Sequence, residues 1–321
     1  MDRHGGLVNF PPFAPLNRFG FLAKNWNQHT YPPFYHEERV AYLKEHWVPG
    51  PLDIFITTHQ KVGTHLTKKF VIELLSHTYG YPEGHGVATG DIGHHTVPWP
   101  EVLVSQYGTE NFESYLAKTE GWPRVWYLHS YLDDLPFRST HPDTKFVHVY
   151  RDPRGVVMSQ YHFYKSHPLL GVSNDLDLDS FVHLFLEGPL YFGDYFDHTV
   201  DWLFSHRKGL NIQSWRYEDL VDEKRASAEQ LQAFLCPAEH RKPELLERVV
   251  QSTAFDQMKS ELTQKPQSFH FNTAKFFRAG TSFSWMTDLP PQHIENIEAV
   301  AREKWGHLPE ISFFKYSKNQ P

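Results

Sequence analysis

Lys61, Gly63 and Thr64 stand in the stretch HQKVGTHL, residues 59–66, directly after an apolar and β-branched run at 52–58. A strand followed at once by a helix leaves the first amides of that helix unbonded, and here they are those of Val62 to His65. With the helix dipole behind them, such amides favour an anion. Gly63 lets the backbone approach it closely, Lys61 adds a charge and Thr64 a hydroxyl. An ordinary strand-to-helix turn with a solvated lysine would use the same residues, so the stretch alone leaves both readings open. It also departs from a triphosphate loop, having one glycine and placing its lysine before that glycine.

Three other places carry candidate chemistry. Arg151 follows the run KFVHVY, where its fork can grip a phosphate, and Ser159 lies two helical turns further on. A surface Arg–Asp pair is the plain alternative. Arg278 and Gly280, in FFRAGTSFSW (276–285), form either a basic cover for an anion or an arginine packed on Phe277 or Trp285. His129 closes the run RVWYLHS; a histidine there can take a proton from a hydroxyl that faces it. With 22 histidines in the chain, this one is not singled out by residue type alone. His85, Asp91, His94 and His95 crowd a segment rich in glycine and proline, but no His-Glu-x-x-His spacing makes them a metal frame.

The elements that must hold these residues are legible. A strand at 52–58 leads to a helix from Thr64 to Tyr79, whose Leu66, Phe70 and Leu74 give a buried stripe. Further strands are expected at 124–130, 145–150 and 210–216. Asp152 suits an N-cap and Pro153 a first helical turn, so a helix should run to Lys165. Helical segments follow at FVHLFLEG, at YFDHTVDWLFSHR, around 224–235 and at 292–305, the last stopping at Gly306. Residues 1–35 read as a proline- and aromatic-rich arm without regular structure, 80–100 as a long loop, and 262–290 as an irregular aromatic segment. Strands alternating with helices imply an α/β domain with a mainly parallel central sheet flanked by helices. Ligands bind such sheets beyond the carboxyl ends of the strands, where the candidate residues fall.

Composition narrows the classes. The 321 residues are 40% hydrophobic, enough for a large core, and a single domain accounts for them. A net charge of −7 argues against a nucleic-acid binder. Cys236 is the only cysteine, which excludes an intrachain disulfide and suits a reducing compartment. No leader-like N-terminus and no apolar run of membrane-spanning length is present. A soluble cytoplasmic protein without a membrane partner is expected.

Taken together, the motifs resemble those of the cytosolic sulfotransferase family, which transfers a sulfuryl group from 3′-phosphoadenosine 5′-phosphosulfate (PAPS). The family's Tyr-Pro-Lys-Ser-Gly-Thr-Thr-Trp loop aligns with HQKVGTHL. Its Arg-Asn/Asp-Pro signature, with a serine eight residues past the arginine and then Tyr-His-Phe, aligns with Arg151, Asp152, Pro153, Ser159 and YHFYK. FLEGPLYFGDYFDHTVDWL, WRYEDL, STAFDQMK, FFRAGTSFSW and PRVWYLHS are similar to further family segments, in the same order from about 50 to 290.

The resemblance implies a P-loop-like sulfotransferase fold, PAPS as co-substrate with no metal, and a small-molecule hydroxyl acceptor. It implies that Lys61, Val62, Gly63, Thr64, His65 and Leu66 hold the 5′-phosphosulfate side of the cofactor. Arg151, Ser159 and Arg278 with Phe277, Ala279 and Gly280 would bind the 3′-phosphate side. Tyr217, Thr253, Phe255 and Met258 would flank the adenosine. His129 would be the general base and Lys61 the catalytic cation. Several positions depart from the pattern: Leu66 replaces the loop tryptophan, and Tyr127 a lysine found two residues before the catalytic histidine. Ala279, Phe283 and Met286 replace two lysines and a glycine of the last motif. No dimerisation segment of the Lys-x-x-x-Thr-Val-x-x-x-Glu kind is visible, which leaves monomer or homodimer open. A kinase with an atypical loop and a non-catalytic nucleotide binder of the same fold are the alternatives.

Overall fold

The computed structural model describes residues 18–27, 29–167, 170, 172–264, 283–309 and 311. Two short antiparallel strands come first, β1 (Lys24–Trp26) and β2 (His29–Tyr31). Helix α1 (Glu37–His46) follows, then strand β3 (Asp53–Thr58) and helix α2 (Thr64–Thr78). Helices α3 (Pro100–Tyr107) and α4 (Thr109–Lys118) precede β4 (Arg124–Leu128). β5 (Lys145–Tyr150) runs into α5 (Pro153–Ser166), then come α6 (Leu178–Glu187) and α7 (Tyr195–Leu203). β6 (Asn211–Arg216) is followed by α8 (Tyr217–Asp222), α9 (Lys224–Leu235), α10 (Glu244–Ser252) and α11 (Phe255–Gln264). The short α12 (Trp285–Asp288) and α13 (Pro291–Trp305) close the described chain.

The central sheet has the order β4-β3-β5-β6, and every pairing in it is parallel. β3 is buried at each of its six positions, as the apolar run predicts for a strand covered on both faces. On one face Phe55 stacks at 5.2 Å on Phe146 and packs with Trp47, Trp126 and Phe137. The first residue of β3 is charged, however. Asp53, fully buried, accepts two bonds from Arg124 (2.7 and 2.9 Å), one from the Trp126 indole (2.7 Å) and one from the Gly50 amide (2.7 Å). Asp53 and Arg124 are register partners, so this pair pins β3 to β4. Removing one member would strand a buried charge at a cost of about 3–5 kcal/mol.

The chain differs from the sequence expectation in several elements. Residues 24–31, read as arm, form the β1–β2 ribbon, because Tyr31 and Thr30 bury against the sheet domain: Phe192 donates its amide to Thr30 O and Tyr31 its hydroxyl to Asp134. The loop at 80–100 ends in Pro100, which is the first residue of α3 and not a breaker. α1, α4, α10 and α11 were not expected as separate helices. Of the irregular segment at 262–290, residues 283–290 include the single turn of α12; 265–282 lie outside the described residues, as do Phe10 and Phe13 of the N-terminal arm. Among the described residues no helix is long and apolar enough to cross a membrane.

Candidate active site

The carboxyl ends of β3, β4 and β5 bring three of the candidate stretches together. β3 ends at Thr58, and α2 begins at Thr64 after a turn in which Lys61 (φ +66°) and Gly63 (φ +111°) both take left-handed backbone. A Cβ at Gly63 would lie 2.5 Å from the Tyr217 ring, so glycine is required there for conformation and for space. The Thr67 amide bonds to Gly63 O, so the amides from Val62 to Leu66 precede the first bond of the helix. The side chain of Val62 is wholly buried, which restricts its role to the backbone. The loop is fastened from behind: Gln160 donates to Gln60 O (3.2 Å), and the Tyr164 hydroxyl to Gln60 Oε1 (2.6 Å).

His129 follows β4. Its Nδ1 lies 2.7 Å from the carbonyl oxygen of Thr58, which can only accept, so Nδ1 carries the proton and Nε2 the lone pair. Thr58 Oγ1 is 2.8 Å from Thr64 Oγ1, linking the histidine to the loop through a single residue. Burial pushes the pKa of His129 down to about 3, the Thr58 bond opposing this and His59, Lys68 and Lys61 adding to it. The ring is neutral at physiological pH and presents a base. Around it stand Trp99 (4.9 Å between centroids), Phe192 (5.3 Å) and Tyr127 (5.5 Å), with Tyr31, Phe34 and Tyr35 behind them.

Arg151 ends β5. The hydroxyl of Tyr195 accepts from its amide (2.9 Å) and donates to its carbonyl (2.5 Å), fixing the backbone on both sides. The guanidinium lies 4.2 Å from the centroid of Tyr217 and donates through Nη1 to Lys61 O (3.2 Å). Its Nε is buried with no hydrogen-bond partner. An arginine held beside a glycine turn with a donor unused fits an anion. Lys61, Gly63, Arg151 and Tyr217 thus form one constellation. Asp152 caps α5 through the Arg154 amide (2.9 Å), as the sequence predicts.

The remaining candidates are placed as follows. His65 is half-buried, and desolvation, then Lys68 and Lys61, drive its pKa well below the usual value. Leu66 is half-buried against the core, where a tryptophan stands in the resembling motif. Ser159 is half-buried on α5. The hydroxyl of Thr253 donates to Val249 O (2.7 Å), so it caps α10 and keeps only its lone pairs for another group. Phe255 and Met258 lie one turn apart on α11, packed into the core. Phe277, Arg278, Ala279 and Gly280 lie outside the described residues. Among the described aromatics, Trp99 reaches His129, whereas Phe21 packs on Tyr164 and Tyr191. His85 accepts the Val87 amide, His94 meets the Tyr127 hydroxyl at 3.2 Å, and Asp91 accepts from Thr96. Among the described residues no three His, Cys, Asp or Glu side chains could hold a metal ion together.

Sequence reasoning missed Thr58, which orients His129, and Tyr195, which orients Arg151. It also missed Lys68, buried beneath Tyr127. Only Tyr195 left a trace, at the head of a segment in which Tyr195, His198 and Trp202 share one helical face.

A family model described as a sulfotransferase domain matches residues 51–309. The amine sulfotransferase of Oryctolagus cuniculus is 25% identical over 80% of this chain and 82% of its own length. The 3-beta-hydroxysteroid sulfotransferase of Cavia porcellus is 27% identical over 86% of this chain and 91% of its own. The crystal structure of mouse sulfotransferase SULT7A1 complexed with PAP superposes with a TM-score of 0.67 at 20% identity, covering 88% of this chain and 93% of that one. Retinol dehydratase in complex with retinol and PAP gives 0.66 at 17% identity, covering 92% and 95%.

Proposed function

The chain belongs to the sulfotransferase family, and on that premise we propose that His129 is the base and Lys61 the leaving-group cation in transfer of a sulfuryl group to an apolar or aromatic alcohol held among Trp99, Tyr127 and Phe192. PAPS-dependent sulfuryl transfer is the family's reaction, and this enzyme's. PAPS supplies the sulfuryl group. The acceptor oxygen forms a bond to sulfur while the bond from sulfur to the 5′-phosphate oxygen breaks. The electron pair of that bond leaves on the phosphate, and the acceptor proton passes to Nε2 of His129. The products are a sulfate ester and adenosine 3′,5′-bisphosphate (PAP).

The observation that carries this reading is the bond from His129 Nδ1 to Thr58 O, because it leaves Nε2 as the proton acceptor. Lys61 and the amides of the 62–66 turn would offset charge on the leaving oxygen. Arg151 and Ser159, with the Arg278 stretch, would take the 3′-phosphate; Tyr217, Thr253, Phe255 and Met258 would take the adenosine. A sulfuryl group carries less charge than a terminal phosphoryl group, so these cations suffice without a metal. The rings around His129 favour a flat or apolar acceptor, and the named relatives make alcohols and amines the classes to try first.

The test is transfer from labelled PAPS, with EDTA present, to 2-naphthol, dehydroepiandrosterone, 1-octanol and 2-naphthylamine. At least one hydroxyl compound should be sulfated, and His129→Ala should lower turnover about 10²–10⁴-fold while PAP still binds. Near-normal turnover in His129→Ala would remove His129 from the base role.

A further inference from the structure

Lys68 lies one turn into α2 and is fully buried. Its Nζ stands 3.5 Å from the centroid of Tyr127, and among the described residues its one hydrogen bond is long, 3.4 Å to Val97 O. An ammonium has three donors, and a buried one is costly unless an anion completes it. Among the described residues, the charged and titratable groups that face it are His65 and Lys61 on its own side, Tyr127 and His129 on β4 and its end, and Asp91 and His94 on the segment before α3. Of these only Asp91 is a carboxylate. His65, His94 and His129 all feel the charge of Lys68, so the amine belongs to the same basic cluster as the catalytic histidine. Strand β4 carries Tyr127 where the resembling motif carries a lysine. Helix α2 sets the Lys68 amine against the ring that stands there.

We propose that Lys68 is a second ammonium of the transfer site, stabilising the sulfuryl oxygens from the face of Tyr127. The proposal rests on the reading that the 61–66 loop holds PAPS. Lys68 forms and breaks no bond and keeps its proton through the transfer; the acceptor proton still goes to His129. Burial holds the amine well below its ordinary pKa in the free protein, and an arriving anion raises it again. PAP lacks the sulfuryl group and should draw less on Lys68.

Calorimetry of the full chain with PAPS and with PAP reads this directly. Lys68→Met, which keeps the aliphatic stem, should bind PAPS about 10-fold more weakly and PAP within about twofold of wild type, as expected for loss of one charge-assisted contact. Its kcat on the acceptor found above should fall about 100-fold. A Lys68→Met protein that keeps the wild-type ratio of PAPS to PAP affinity overturns the assignment of Lys68. A wild type that binds neither ligand overturns instead the reading of the loop.

Discussion

Arg151 concentrates at one residue what the site asks of its side chains. Its backbone is clamped by one tyrosine hydroxyl and its guanidinium rests on a second tyrosine ring, yet its Nε has no partner. A fork fixed in this way recognises a phosphate by geometry as well as by charge, and lysine cannot reproduce the geometry. Arg151→Lys should weaken PAP binding about 10- to 100-fold. AMP, which has no 3′-phosphate, should bind within about twofold of wild type. Equal losses for the two nucleotides in a titration would remove the 3′-phosphate from Arg151. The place of Arg151 at a strand end was legible because Asp-Pro follows it and opens a helix. Lys68 was illegible for the opposite reason. A lysine inside a helix reads as solvated, and only the packing of α2 over Tyr127 buries it.

At the scale of elements, α7 and the β3–α2 turn do the positioning. One face of α7 holds two strand ends: Tyr195 grips Arg151, His198 donates to His129 O (3.0 Å), and Trp202 donates to Ser130 O (3.0 Å). The turn is constrained by Gly63, and its two constraints can be separated. Alanine at 63 must adopt a backbone that L residues resist, at about 1–2 kcal/mol, and its Cβ must displace the Tyr217 ring. Gly63→Ala should therefore destabilise the protein by about 2–3 kcal/mol in urea unfolding. In a Tyr217→Ala background only the backbone part should remain, about 1–2 kcal/mol. Equal costs in both backgrounds would mean that the ring is not the obstacle. Apolar runs made β3, β4 and β5 legible, and Asp152-Pro153 made the start of α5 legible, because those signals are local. The β1–β2 ribbon was not legible, since three-residue strands have no period to detect and owe their place to Asp134, bonded by Asn27, His29 and Tyr31.

For the whole molecule, the buried histidines couple folding to pH. Burial is the first cause in each case: it lowers His59 to about 4 and His94, His129 and His148 to about 3, and holds His65 and His198 well below the usual value. In the unfolded chain each returns to about 6.5. As pH falls below that, the unfolded state binds protons that the native state refuses, so stability is lost. Glu101 and Glu218 act with the opposite sign. Burial raises both to about 7, so between roughly 4.5 and 7 the native state holds two protons that the unfolded chain has released. Near pH 5 His59, His94, His129 and His148 alone outweigh the two glutamates by about two protons, a slope of about 3 kcal/mol per pH unit. A domain stable by about 5–15 kcal/mol should therefore keep its melting temperature from pH 8 to 7 and see it fall steadily towards pH 5. His148, which meets Ser214 Oγ at 3.0 Å and stacks on Tyr150 and Trp202, allows a single-site check. His148→Leu should reduce the slope by about 1.4 kcal/mol per pH unit. A melting temperature that stays level from pH 7 to 5 would mean that these histidines are protonated in the folded protein, and His129 could then not serve as a base that is already neutral.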